Sequence, residues 1–303
     1  MKDFTVVYFK AFERGFSIPS TLCEFSIGGM DFSIKFYGLF IAIGYLIALL
    51  VATKLAKKKN INIDALYDVV IFSTIGGIIG ARLYYVLFNL DYYIANPSHI
   101  MRINEGGLAI YGGIIGALLV GLIVCKIRKF SILDALDLAS VGFLIGQGVG
   151  RWGNFTNQEA FGVNTNMPWG MTSNKVVEYI LQNQATFAEK GIEMDPSGYV
   201  HPTFLYESIW CIIGAIILAF IFLKHREFKG QVCLTYGVWY GIERAFVEGL
   251  RTDSLYIANT TIRVSQLLSA ILVVACAIAL IVIFVKNKKK ANPKTIKEEV
   301  NNG

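Results

Sequence analysis

Thirteen residues, Gly150-Arg151-Trp152-Gly153-Asn154-Phe155-Thr156-Asn157-Gln158-Glu159-Ala160-Phe161-Gly162, hold the densest set of chemically useful groups in the chain. They place an arginine, two asparagines, an acid and several glycines at the end of an apolar run. Arginine offers a planar fork matched to phosphate oxygens, and glycine lets a backbone approach a ligand closely. Charge costs free energy at membrane depth, so Arg151 and Glu159 need partners or a ligand there. On physics alone two readings stay open. One is a phosphate site; the other is a helix end whose arginine snorkels to the lipid headgroups.

A second group is Tyr240, Arg244, Glu248 and Arg251. At 100° per residue these fall within about 80° of one another on a helix. Arg244 and Glu248 are spaced i,i+4, and Glu248 and Arg251 i,i+3, so ion pairing is possible. The stripe either neutralises itself toward a bundle interior or lines a cavity for an anionic headgroup; ionisable residues inside a membrane favour the second. Glu243 falls on a neighbouring face. Tyr37, taken alone, reads as an aromatic anchor at the membrane surface. Arg82 sits within an apolar run and wants an acidic partner or a headgroup. His201 opens another run, either as an interfacial or capping residue or as a base with an ordinary pKa near 6.5. His99 and His225 have no supporting context.

Other chemistries find no residues. No nucleophile triad, phosphate-binding Walker loop or metal-ligand cluster occurs. Cys23, Cys125, Cys211, Cys233 and Cys276 show no CxxC spacing, and four of them lie in or beside apolar runs. A disulfide framework or zinc site is not expected, and no metal or organic cofactor is called for.

The elements that must position these groups are membrane helices. A chain of 303 residues with 54% apolar and 17% charged content and a mean hydropathy of +0.53 is a membrane protein by class. Its net charge of +6 does not point to nucleic acid, because the basic residues sit in short loops and the tail. Apolar runs predict seven spans, over 34–53, 65–88, 107–125, 132–150, 204–223, 230–249 and 264–285. Spans in lipid satisfy their backbones as helices, so an all-α polytopic fold is expected. Lys54 to Lys59, Lys126 to Lys129, Lys224 to Lys229 and Lys286 to Lys290 then fall on one side. The positive-inside rule makes that side cytoplasmic, with the N-terminus outside and the C-terminus inside. Asp3, Lys10, Glu13 and Arg14 interrupt any cleavable signal, so the first span is expected to serve as an uncleaved one. One membrane domain over 1–289 is expected, with an outward cap over 151–203 and a disordered tail over 290–303. Whether 163–200 is an ordered cap or a mobile lid stays open. Gly142, Gly146 and Gly150, Gly76 and Gly80, and Gly112 and Gly116 show the spacing that lets helices approach closely.

The motifs together resemble one family, the prolipoprotein diacylglyceryl transferases. The 150–162 run matches every fixed position of its Gly-Arg-x-Gly-Asn-Phe-x-Asn-x-Glu-x-x-Gly signature. Tyr240 to Glu248 is similar to its Tyr-Gly-x-x-Arg-x-x-x-Glu element. His201-Pro202-Thr203-Phe204-Leu205-Tyr206-Glu207 is similar to its His-Pro-x-x-Leu-Tyr-Glu element, and Tyr37-Gly38 to the Tyr-Gly of its first span. Glu105-Gly106-Gly107-Leu108-Ala109-Ile110-Tyr111-Gly112-Gly113 resembles its Glu-Gly-Gly-x-x-x-His-Gly-Gly element, with Tyr111 where many members carry His. That His is the usual candidate for the base, and tyrosine, with an ordinary pKa near 10, is a poor one at neutral pH.

The resemblance implies an enzyme of the bacterial cell membrane. It would move the diacylglyceryl group of phosphatidylglycerol to the lipobox cysteine of a prolipoprotein signal peptide, forming a thioether and releasing glycerol 1-phosphate. It further implies catalytic roles for Tyr111, Arg244 and His201. Substrate contacts are implied for Arg151, Tyr37, Gly106, Asn154, Asn157, Glu159, Gly162, Tyr240 and Glu248. Membrane lipid is the expected surrounding and nucleic acid no partner. Two rival classes share some of these features. A transporter would show paired halves and broken helices, and a lipid-binding scaffold would need the cations without a proton acceptor.

Overall fold

Long apolar stretches without proline or interior charge have one stable form in lipid, a helix, and helices dominate this chain. The computed structural model describes residues 4–12, 14–27, 30–103, 106–252, 256 and 263–291. Among the described residues, six helices are long and apolar enough to cross a membrane: Phe36–Lys58, Ile63–Leu87, Ile110–Ile127, Ile132–Asn157, Thr203–His225 and Val264–Lys289. The remaining expected span, over 230–249, is a helix at Gln231–Leu250, but its charged residues keep it out of that apolar set. From residue 292 onward the expected tail lies outside the described residues.

The expectation of an all-α chain needs a correction at the N-terminus and in the cap. Strands β1 (Phe4–Phe9), β2 (Phe16–Pro19), β3 (Thr21–Ile27) and β4 (Met30–Lys35) precede the first helix, and β5 (Met171–Ser173) lies in the 151–203 segment. One antiparallel sheet has the order β2-β1-β5, with Phe4 opposite Pro19 and Val7 opposite Ser173; β3 and β4 form a hairpin. These strands are short and rich in aromatic and β-branched residues, a local preference that whole-chain hydropathy does not register.

The chain divides into two compact units, residues 1–51 with 140–303, and residues 52–139. In the second unit, α2 (Ile63–Leu87) and α4 (Ile110–Ile127) pack along Gly76, Gly80, Gly112 and Gly116. A Cβ on Gly80 would run into the Gly112 carbonyl and sit 2.9 Å from Gly116 Cα. The glycines therefore serve close helix approach, as their spacing predicted. The Asn62 side chain caps α2 by accepting from the Ala65 amide at 3.1 Å. Short helix α3 (Leu90–Ala95) and a 3-10 turn at Pro97–His99 follow α2.

In the first unit, α1 (Phe36–Lys58) meets α5 (Ile132–Asn157) at Gly44, where an added Cβ would lie 3.3 Å from Gly146 Cα. Helices α6 (Asn174–Gln182) and α7 (Gln184–Glu189) belong to the cap. Val7, Phe161, Met171, Val176, Ile180, Phe187, Val200 and Phe204 form its buried core. Segment 163–200 is thus built around a core of its own that includes the N-terminal strand. Helix α8 (Thr203–Phe220) ends in a π turn at Ile221–His225, followed by α9 (Gln231–Leu250) and α10 (Val264–Ala291).

Candidate active site

The fourth expected span stops at residue 150, but α5 continues to Asn157. Hydropathy marks where a chain turns polar, not where its backbone stops being helical. Arg151, Gly153, Asn154 and Asn157 therefore occupy the last two turns of a helix and not an outward loop. Hydrogen bonds and ring stacking fasten this end of α5 to α8. Trp152 Nε1 donates to Ser208 Oγ at 3.1 Å, and Ser208 Oγ donates to the Gly148 carbonyl at 2.8 Å. Phe155 stacks on Phe204 with centroids 4.5 Å apart. Helix α8 is in turn tied to α9 by Trp210 and Trp239. Their rings stack at 4.6 Å, and each indole N–H donates to the other's carbonyl at 3.2 Å.

This scaffold brings arginines from two helices around one carboxylate. Arg151 Nε lies 2.6 Å from Glu207 Oε2, while Arg244 NH1 and Arg251 NH1 lie 3.8 and 3.9 Å from Glu207 Oε1. Arg244 also pairs with Glu248 at 2.6 Å across one helical turn. Glu207, Glu248 and Glu243 are buried, and the guanidinium side chains keep 12 to 23% exposure. Buried charges at this density need mutual pairing, and the arginines' remaining exposure leaves guanidinium donors open to an anion. Glu207 is the hub of the cluster. Sequence reasoning quoted it only as the end of a motif, although a carboxylate about one turn from a span mouth was itself a signal. Glu243, hard to place from the helical wheel, is buried with the others.

Neighbouring groups frame this cluster. A Cβ on Gly153 would sit 2.6 Å from Tyr37 Cδ2, so the glycine gives the Tyr37 ring its place against α5. Tyr240 stacks on Tyr236 at 5.7 Å, and the Tyr236 hydroxyl accepts from Gln147 Nε2 at 3.2 Å. Glu159 Oε1 accepts from Asn154 Nδ2 at 2.9 Å and from Asn157 Nδ2 at 3.4 Å, so these three polar motif residues bind one another. The turn that carries Glu159 has positive φ at both Gln158 and Ala160.

Gly162 has a structural task. Its amide donates to the His201 carbonyl at 2.9 Å, and Val163 N donates to the Leu250 carbonyl at 2.9 Å. A Cβ there would lie 2.9 Å from His201 Cβ and 3.0 Å from the Leu250 carbonyl. The glycine thus lets the end of the α5 motif lie against the entry to α8 and the exit of α9.

His201 is tied through Tyr206 to Trp169. Trp169 Nε1 can only donate, and it does so to the Tyr206 hydroxyl at 2.7 Å. The Tyr206 hydroxyl and His201 Nδ1 share a hydrogen bond of 3.0 Å. Burial pushes the His201 pKa below its ordinary value.

Tyr111 and Gly106 belong to the other unit, residues 52–139. Tyr111 is the second residue of α4 and is 71% exposed. Gly106 has φ +88, and its carbonyl accepts from Arg82 NH1 at 2.6 Å. Arg82 also donates to the carbonyls of His99, Ile100, Arg102 and Gly107. The acidic partner or headgroup expected for Arg82 is replaced by this ring of backbone carbonyls, which holds the turn before α4. Glu105 lies outside the described residues.

Comparison with known proteins agrees with the motifs. The family model for prolipoprotein diacylglyceryl transferase matches residues 24–283. A phosphatidylglycerol--prolipoprotein diacylglyceryl transferase of Finegoldia magna is 41% identical over 266 residues, 88% of this chain and 95% of its own length. One from Clostridium perfringens is 43% identical, covering 88% and 95% of the two chains, and one from Thermotoga maritima is 43% identical, covering 82% and 80%.

Proposed function

Because the chain belongs to the prolipoprotein diacylglyceryl transferase family, we propose that its arginine cluster is the headgroup site of that reaction. The protein transfers the diacylglyceryl group of phosphatidylglycerol to prolipoproteins, the first step of lipoprotein maturation. The acceptor is the lipobox cysteine of the signal peptide. Its thiolate attacks the glycerol carbon that bears the phosphate ester, a thioether forms, and glycerol 1-phosphate leaves. Thiolate and not thiol is the nucleophile, and the leaving phosphate gains charge that fixed donors in a water-poor site stabilise.

Arg151 and Arg244 hold the phosphate, each oriented by a carboxylate 2.6 Å away. That geometry is the observation that carries the reading. Glu248 aims Arg244, and Tyr37 and Tyr240 contact the glycerol and headgroup. Asn154, Asn157 and Glu159 act as one hydrogen-bonded group that orients substrate at the end of α5. Gly162 shapes the same edge. Tyr111 positions the peptide near its cysteine, with Gly106 supplying the turn that presents it. His201, held by Tyr206, contributes to catalysis.

The chain reads as one membrane domain over 1–289 with seven spans in the bacterial cell membrane, the N-terminus outside and the C-terminus cytoplasmic. Span six is α9, whose charge is acceptable in lipid because it is paired within the bundle. The basic loops support that orientation, and membrane lipid supplies the phosphatidylglycerol directly.

The test is transfer from phosphatidylglycerol labelled in its diacylglyceryl part to a lipobox peptide, with a serine counterpart as control. Label on the cysteine peptide alone, with glycerol phosphate released, is the expected result. No transfer by folded protein contradicts the reading.

A further inference from the structure

Three carboxylates are buried beside the three guanidiniums: Glu207 at 1%, Glu248 at 2% and Glu243 at 3% exposure. Glu207 and Glu248 each have an arginine nitrogen at 2.6 Å. Glu243 differs. Its Oε1 is buried without a hydrogen-bond partner, and no arginine nitrogen among the described residues comes within the ion-pairing distance that Glu207 and Glu248 enjoy. It still lies within electrostatic reach of Glu207, Arg151, Arg244 and Arg251. Tyr236, Tyr240 and Glu243 follow i, i+4, i+7 spacing, so Glu243 continues the stripe of the stacked tyrosines toward the arginines.

Charge balance says what such a group does. Among the described residues, the three guanidiniums and three ionised carboxylates of the cluster sum to zero, which leaves no net charge with which to hold a phosphodiester anion. With one carboxyl protonated it carries a single positive charge, the complement of that anion. The proton belongs on the carboxyl that lacks a close arginine, since a buried charge without a partner is the costliest to keep.

We propose that Glu243 enters the transfer reaction as a carboxylic acid and protonates the phosphate oxygen that leaves the glycerol carbon. This rests on the transferase reading above. The cysteine thiol gives its proton to water. Its sulfur forms the new bond to the glycerol carbon as the C–O bond breaks, and the electron pair of that bond stays on the phosphate oxygen. That oxygen takes the Glu243 proton. Glu243 then recovers a proton from water, equal to the one the thiol released, and nothing is oxidised or reduced. A positioned general acid of this kind contributes about 10²- to 10⁴-fold to rate.

The test is the pH dependence of kcat and KM with labelled phosphatidylglycerol and a lipobox peptide, for the full chain and for Glu243→Gln. The groups facing Glu243 are Arg151 from α5, Glu207 and Cys211 from α8, and Tyr236, Tyr240, Arg244 and Arg251 along and just beyond α9. Helix α10 brings Cys276 against Gly237 on the same helix. Wild-type kcat should fall at alkaline pH as Glu243 loses its proton. Glu243→Gln should lower kcat on the order of 10²-fold, leave KM for the lipid little changed and lose the alkaline limb. Glu243→Asp should keep that limb. A Glu243→Gln protein with wild-type kcat, or one that keeps the alkaline limb, overturns the proposal alone. If Glu243→Gln does not reach the membrane, the wild-type profile decides, and a kcat with no alkaline fall overturns it. Wild-type protein that transfers no label at any pH overturns the transferase reading and this proposal with it.

Discussion

Arg151 Nε and Glu207 Oε2, 2.6 Å apart, join the last turns of α5 to the second turn of α8. The carboxylate is 1% exposed and the guanidinium 23%, so water screens this pair only in part. Removing one member of a buried pair strands the other, at a cost of about 3–5 kcal/mol. Glu207→Ala leaves Arg151, Arg244 and Arg251 facing one another without their shared counter-charge. It should lower the thermal midpoint in detergent and abolish transfer. Arg151→Ala should abolish transfer with a smaller loss of stability, because Glu207 keeps two arginines nearby. Equal midpoints for Glu207→Ala and wild type would contradict the hub role of Glu207.

Arg82 should behave as a structural residue. Its guanidinium satisfies five carbonyls between His99 and Gly107, and hydrogen bonds to a charged donor contribute about 1.5–3 kcal/mol each before non-additivity. Arg82→Ala should make the 96–107 segment more sensitive to protease, and Arg82→Lys should restore only part of the protection. Unchanged protection in Arg82→Ala would rule out this anchoring.

The His201 pKa is lowered by burial, which gives a sign to acid sensitivity. Above the ordinary value near 6.5 the imidazole is neutral in both folded and unfolded chains and has no effect. As pH falls through that value the unfolded chain takes up a proton that the folded chain resists, so stability drops. His201→Gln should reduce the fall in thermal midpoint between pH 7.5 and 5.5, taken as about one unit either side of that value. An unchanged acid sensitivity would exclude His201 as its source.

Gly162→Ala should cost about 1–3 kcal/mol, the usual range for overpacking. Its Cβ meets backbone at the Leu250 carbonyl as well as the His201 side chain, and a carbonyl cannot move aside cheaply. Activity should fall with stability in this variant. Normal stability with lost activity would instead make Gly162 a direct substrate contact.

Much of this was legible because lipid leaves few options. The apolar runs marked the starts of the six membrane-capable helices closely but ended α1 and α5 short, and Gly76, Gly80, Gly112 and Gly116 announced the packing of α2 on α4. The i,i+4 spacing of Arg244 and Glu248 anticipated their ion pair. Less legible was whatever depends on residues far apart in sequence. Glu207 becomes a hub only when α5, α8 and α9 pack together. Arg82 finds carbonyls that exist as a set only once the 99–107 turn has formed. The N-terminal strands escaped because six-residue aromatic segments such as Phe4–Phe9 carry no hydropathy signal, and Val7 is buried only by the cap core.

The central claim is that Arg151 grips the phosphate through its planar fork. Its most direct test is kcat/KM of Arg151→Lys with labelled phosphatidylglycerol and a lipobox peptide. Lysine keeps the charge but not the fork. The expected result is a fall of at least about 10²-fold in protein whose thermal midpoint stays near wild type. Near-wild-type kcat/KM would contradict the claim and leave Arg151 as a structural partner of Glu207.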